Sequence, residues 1–376
     1  MPAPDAAAIT TALAAVLDPE IRKPITELRM LDSVQVDSDG RVFVRVLLTV
    51  PGCPMKDRLE ADVRAAAAAV PGVTSVAVEL GAMSGEQRAE LRRTLRGDAP
   101  ANEIPFAQPG SRTRVYAVAS GQGGVGKSSV TVNLAVALAE QGLSVGVLDA
   151  DIYGFSVPRM LGVSGSPTQV DQMILPPVAH GVKVMSIGMF TPGNTAVVWR
   201  GPMLHRALRQ FLADVLWGDL DVLLLDLPPG TGDIAISVGQ LLPAADLLVV
   251  TTPQLAAREV AERAGSIALQ THQQIVGVVE NMSWLQLPGT ERIELFGSGG
   301  GQSVADSLAR LTGTRIPLLG QIPIEQALRE GGDSGTPVVL SAPDSPAAAA
   351  LREVAAALAA RQTSLVGRSL GLAPAR

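Results

Sequence analysis

The sequence predicts an α/β protein whose larger part is a doubly wound, mostly parallel sheet, with a small N-terminal α/β domain in front of it. Three observations predict this. Apolar, β-branched runs of strand type alternate with stretches of helical periodicity from Arg114 onward, as repeated βα units require. The run DVLLLD (Asp221 to Asp226) is apolar without alternation, as expected for a strand buried on both faces. The stretch Arg114 to Gln141 reads strand, glycine-rich loop, helix: RVYAVAS, then GQGGVGKSS, then VTVNLAVALAEQ.

Composition narrows the class. With 376 residues, 47% of them hydrophobic, the chain has material for two or three packed domains and none of the polar bias of a disordered one. No run of about 18 or more apolar residues occurs, so no membrane span is expected. MPAPDAAAITTALAAV carries an aspartate and no basic segment, unlike a secretory signal. Lys+Arg of 30 against Asp+Glu of 36 gives a net charge of −6, which gives no support to a nucleic-acid surface. The single cysteine, Cys53, excludes an intramolecular disulfide and fits a cytoplasmic protein.

Residues 1–81 read as the small α/β domain. Ala6 to Leu17 has a helical pattern that Asp18-Pro19 ends, and Leu31 to Val36 and Val42 to Val50 alternate as two strands around an Asp39-Gly40 turn. A helix over Met55 to Ala69 stops at Pro71-Gly72, and Val73 to Leu80 is a last strand. Residues 82–113 turn polar and Pro/Gly-punctuated, a linker with one short helix at Gly85 to Leu95. Residues 114–362 then carry strands at Arg114 to Ser120, Ser144 to Asp149, Val182 to Ile187, Asp221 to Asp226, Asp246 to Thr251, Ile275 to Val279 and Ile316 to Gln321, and an Ala-rich helix from Ser345 to Gln362. Residues 363–376 read as a flexible tail.

The loop carries the clearest chemistry. Gly121, Gly126, Lys127 and Ser128 occupy the fixed positions of G-x-x-x-x-G-K-[ST], in the strand-to-helix context that this P-loop motif needs. Glycines let main-chain N–H groups approach phosphate oxygens, and the helix behind them presents its positive dipole end to the same anion. The loop Gly121, Gln122, Gly123, Gly124, Val125, Gly126, Lys127, Ser128 and Ser129 is therefore read as an ATP-binding segment. Lys127 would reach the β- and γ-phosphates and the Ser128 hydroxyl would coordinate Mg²⁺. In DVLLLDLPPGTGD, Asp226 closes an apolar strand where a carboxylate would hold the magnesium shell, and Gly230 to Asp233 would move with the γ-phosphate. Asp151, two residues past Asp149, lies where a carboxylate would orient the attacking water; capping or metal binding are its alternatives.

Seven blocks carry a family resemblance. GQGGVGKSS, DADIYGFSVP, WRGPM (Trp199 to Met203), DLPPGTGD, TTPQ (Thr251 to Gln254), ENMS (Glu280 to Ser283) and IPIEQALREGGDSGTPVV (Ile322 to Val339) are similar, in order, to the Mrp/ApbC-type P-loop ATPases, relatives of MinD, ParA and the nitrogenase iron protein. The front domain is similar to the small domain of iron–sulfur assembly factors. The resemblance implies a cytoplasmic, homodimeric ATPase that carries iron–sulfur clusters to apoproteins, with Asn281 contacting the adenine.

The chain departs from the family at two places. The family's C-x-x-C after ENMS is replaced: Leu287 and Thr290 stand about where the two cysteines would fall, and neither is a thiolate ligand. Cys53 then offers the one thiol, as a cluster ligand or as a buried or helix-capping side chain. The family's first loop lysine is Gln122 here, which removes a charge that would offset transition-state phosphate, so slow hydrolysis is expected. Arg200 is an alternative source of that charge. Other classes weighed were a MinD/ParA-like positioning switch, for which the tail TSLVGRSLGLAPAR is too weakly basic and amphipathic, and a nucleotide-binding scaffold. His180, His205 and His272 lack metal-ligand spacing, and Trp199, Trp217 and Trp284 read as packing residues.

Overall fold

The computed structural model describes residues 4–50, 55–96, 103–151, 154–190, 201–230, 232–254, 257–287 and 289–361. Cys53, Trp199, Arg200 and the tail lie outside the described residues.

The chain divides into two compact units. The first holds α1 (Ala6–Leu13), β1 (Leu31–Val36), β2 (Arg41–Leu48), α2 (Lys56–Ala68), β3 (Ser75–Ala82) and α3 (Gly85–Arg96). Its sheet has the order β1-β2-β3, antiparallel then parallel. β2 buries alternate residues Val42, Val44 and Val46, which pack with Ile9, Leu13, Leu59 and Val63 of the two helices. This is the amphipathic arrangement that the alternating pattern calls for. α1 ends four residues short of the expected Leu17. Val16 N–H donates to Leu13 O, an i→i+3 turn, and Val16 O then accepts from Ile25 N–H, which turns the chain away. Asp18 Oδ1 accepts from the Glu20 and Ile21 N–H groups (3.0 and 2.7 Å), and burial pushes its carboxyl up.

This unit is larger than the expected residues 1–81. It includes residues 1–101, 167–177 and 214–218. Leu91 of α3 is buried in the same core, so the start of the expected linker belongs to the packed body. The hairpin of β6 (Thr168–Val170) and β7 (Met173–Leu175) adds a second small cluster, in which Val170, Met173 and Leu175 touch Ile21, Val50, Leu95 and Leu216. No sequence pattern announces this because each strand has only three residues.

The second unit is built on an eight-stranded sheet. Its strands are β4 (Arg114–Ala119), β5 (Val145–Asp149), β8 (Val178–Ala179), β9 (Val182–Ser186), β10 (Val222–Asp226), β11 (Asp246–Thr251), β12 (Ile275–Leu285) and β13 (Leu318–Ile324). The order is β13-β12-β11-β4-β10-β5-β9-β8, parallel throughout except for the short β8 at the edge. The helices are α4 (Lys127–Glu140), α5 (Val157–Met160), α6 (Gly201–Asp214), α7 (Asp233–Leu241), α8 (Ala257–Thr271), α9 (Gly300–Thr312), α10 (Gln326–Ser334), α11 (Val338–Ser341) and α12 (Pro346–Ala360). α4 is buried nearly all round, from Val130 to Leu138, because it lies between the sheet and α12. The sheet reverses direction of winding around β4, so the loops after β4, β5, β10 and β12 converge at the carboxyl edge, where open α/β sheets bind ligands.

β12 runs six residues past the expected end at Val279. Polar ENMS does not look like strand sequence, yet Asn281 still pairs with Ile322, and Leu285 pairs with Ile324 after a register shift. Met282 adopts φ +58° in that shift, a conformation that favours glycine.

Candidate functional site

The loop between β4 and α4 is held from several sides. Ser120 Oγ donates to Gln122 O (3.0 Å), and Arg263 Nη1 of α8 donates to Gly121 O (2.8 Å). Gly121 has no room for a side chain, since a Cβ there would stand 2.7 Å from Val260 Cα. Gly126, the residue before α4, has φ +78°, and a Cβ on it would run into the amide of Asn281. Gly123 and Gly124 form the exposed crest, whereas Val125 is buried beneath it.

Asp226 is the hub of the charged groups. Its side chain is 1% exposed and accepts from Lys127 Nζ (2.7 Å), Ser128 Oγ (2.6 Å) and Thr131 Oγ1 (2.8 Å). Sequence reasoning placed Lys127, Ser128 and Asp226 together and missed Thr131. The signal was available: Thr131 stands four residues after Lys127, on the same face of the helix. Thr131 has one hydroxyl proton, although Lys127 O also lies 2.9 Å away. The carboxylate is the stronger acceptor and takes it.

Asp149 lies opposite Asp226 in the β5–β10 pairing and is fully buried. It accepts main-chain N–H bonds from Asp151, Ser156 and Val157 (3.0, 3.0 and 3.1 Å). Burial first, and the Asp226 charge second, push its carboxyl up to about 7. Asp151, two residues farther along, is half-buried, and its Oδ1 accepts from Gly154 N–H (3.0 Å). Ser128 and Ser129 are half-buried at the head of α4.

The donor set suits a hard divalent cation, because a hydroxyl and a carboxylate oxygen stand 2.6 Å apart. Among the described residues, no group of three or more His, Cys, Asp or Glu side chains could hold a metal ion. Leu287 and Thr290 close a tight turn: Leu287 N–H donates to Thr290 Oγ1 (3.2 Å), which donates back to Leu287 O (2.9 Å). The turn thus places the two positions side by side, without thiols.

Asn281 sits under the loop rather than in open view. It is 2% exposed and its Nδ2 donates to Val125 O (2.9 Å). Among the other described residues singled out in the sequence, Trp217 is buried, Arg292 lies 4.1 Å over the Trp284 ring, and His180 Nε2 is bonded to Gly335 O (2.9 Å). No described helix is long and apolar enough to cross a membrane.

Comparison with known proteins agrees with this geometry. The family model of the NUBPL iron-transfer P-loop NTPases matches residues 111–359, and that of the iron–sulfur cluster assembly proteins matches residues 6–80. A protein of Mycobacterium tuberculosis named iron–sulfur cluster carrier protein is 64% identical over 98% of this chain and 97% of its own. A protein of the same name from Synechocystis is 40% identical over 94% of this chain and 97% of its own. Among solved structures, a nucleotide-binding protein from Archaeoglobus fulgidus in complex with ADP is similar with a TM-score of 0.50 and 39% identity, over 59% of this chain and 86% of that one. By the span of the family match and the identities to relatives that it covers almost from end to end, the chain belongs to the NUBPL/ParA family of iron-transfer P-loop NTPases.

Proposed function

We propose that this protein is an ATP-binding, slowly hydrolysing carrier that transfers iron–sulfur clusters to apoproteins, working as a homodimer in the cytoplasm. The observation that carries the nucleotide half is the buried hub at Asp226, which gathers Lys127 and Ser128 at the mouth of a glycine loop. The cargo half is supported by family membership and by the shared name of the relatives.

The residues divide the work as follows. Loop N–H groups and the head of α4 bind the triphosphate, and Lys127 exchanges its carboxylate partner for the β- and γ-phosphate oxygens. Ser128 and Asp226 would hold magnesium, which supplies charge neutralisation of the phosphates when bound. Asp151 orients the attacking water. Gln122 is a neutral residue at the loop's second position, so the developing charge on the γ-phosphate finds less compensation and turnover is slow. The cluster is cargo, and Cys53 is the thiol this chain can contribute to it; four-iron clusters take four thiolates, so the rest come from a partner or small thiols.

Calorimetry with Mg-ATP on the wild type and on Lys127→Ala tests the nucleotide half: saturable binding lost in the variant is expected. Anaerobic reconstitution with iron and sulfide, scored as iron per dimer on wild type and Cys53→Ala, tests the cargo half. A wild type that retains no iron would refute it.

A further inference from the structure

The strap behind the nucleotide loop is built from two side chains outside the loop motif. We propose that Asn281 and Arg263 are positioning residues: they pin the carbonyls of Val125 and Gly121 away from the ligand, so that the following N–H groups face the phosphates. The inference rests on the reading of the loop as a triphosphate site.

Peptide geometry gives the mechanism. In a planar trans unit the C=O of one residue and the N–H of the next point in opposite directions. Asn281 Nδ2 holds Val125 O from beneath, at 2% exposure, which turns the Gly126 N–H toward the open side of the loop. Arg263 Nη1 holds Gly121 O from α8, which does the same for the Gln122 N–H. The two pins thus sit at both ends of the exposed Gly123–Gly124 crest.

Four further observations show that these contacts are built rather than incidental. Gly126 carries no Cβ where one would collide with the Asn281 amide, so loop and side chain approach as closely as backbone permits. Val260, one turn before Arg263 on α8, closes on Gly121 in the same manner. Met282, immediately after Asn281, is held at φ +58°, a cost that the strand bears while turning Asn281 inward. Asn281 Oδ1 is buried without a hydrogen-bond partner among the described residues, so the side chain is fixed through its Nδ2 bond to the loop. An adenine contact, by contrast, would involve only ligands that contain a base.

That difference supplies the test. Binding of Mg-ATP and of magnesium with inorganic tripolyphosphate, which has no base, is measured by calorimetry on the full-length protein. The wild type is compared with Asn281→Ala, Arg263→Ala and Arg263→Lys, with kcat and KM for Mg-ATP measured alongside. Loss of one positioning hydrogen bond is expected to weaken both ligands by the same factor, about fivefold for Asn281→Ala and about threefold for Arg263→Ala. Arg263→Lys keeps a donor on a flexible stem and should recover most of the loss. Because the same N–H groups serve the transition state, kcat falls along with affinity. Weakened ATP with unchanged tripolyphosphate would overturn the proposal in favour of a base contact. Wild-type affinity for both ligands in the variants would overturn it outright. Should Asn281→Ala fail to fold, the half-exposed Arg263 pair carries the same comparison. A wild type that binds neither ligand would bring down the nucleotide reading itself, and the latch with it.

Discussion

Thr131→Val is the most informative single change at the nucleotide site. The side chain is fully buried, and valine matches threonine in shape, so the change replaces one hydroxyl by a methyl. What is lost is a 2.8 Å bond to Asp226, a carboxylate whose side chain is 1% exposed. A hydrogen bond to a buried charged group is worth about 1.5–3 kcal/mol. Lys127 and Ser128 remain on the carboxylate, so the estimate falls in the middle of that range, about 2 kcal/mol. Urea unfolding of the full chain gives the number, read from the transition that shifts upward with Mg-ATP, since that transition belongs to the nucleotide unit. Thr131→Ser is the companion variant. It keeps the hydroxyl and gives up one methyl, at a cost of about 1 kcal/mol. If Thr131→Val were no more destabilising than Thr131→Ser, the hydroxyl would not be holding Asp226 and the hub would reduce to Lys127 and Ser128.

Two other outcomes follow from the charges in and around the loop. Asp149 is pushed up to about 7 from the ordinary 3.8, so between about pH 4 and pH 7 the native protein keeps a proton that the unfolded chain has lost. Folding therefore takes up a proton in that window, and stability falls as pH rises, by about 1.4 kcal/mol per pH unit at most. Asp149→Asn should remove that contribution and leave the one from Asp246, which burial pushes up to about 6 and which acts over the narrower window from about pH 4 to pH 6. Parallel curves for variant and wild type would dispose of the assignment. Gln122→Lys restores a cation to the loop; its expected effect is a rise in kcat of about tenfold or more with little change in Mg-ATP affinity, read in steady-state turnover. Unaltered turnover would mean that Gln122 does not limit the rate.

Much of the machinery is legible from local sequence. The glycines of the loop, Lys127 and Ser128 are spaced by the chain itself, and the strand before them and the helix after them follow from apolar periodicity. Asp226 is legible for the same reason, as the acidic end of an all-apolar strand. The extra reach of β12 and the β6–β7 hairpin were not legible, because ENMS is polar and the hairpin strands are three residues long. Thr131 was missed although its spacing from Lys127 was plain, since nothing local shows which face of α4 meets Asp226.

The sequence by itself thus determined most of the longer strands and helices, the glycine-loop motif and the family, all of which depend on residue type at fixed positions along the chain. Only the tertiary structure decided how far apart in the chain the loop's supports lie: Asp226 reaches Ser128 across 98 residues, Arg263 reaches Gly121 across 142, and Asn281 reaches Val125 across 156. The physical reason is that strand order, not chain order, sets which side chains meet. β4 lies between β10 and β11 in the sheet, so groups from the carboxyl ends of distant strands converge on a loop whose own sequence does not mention them.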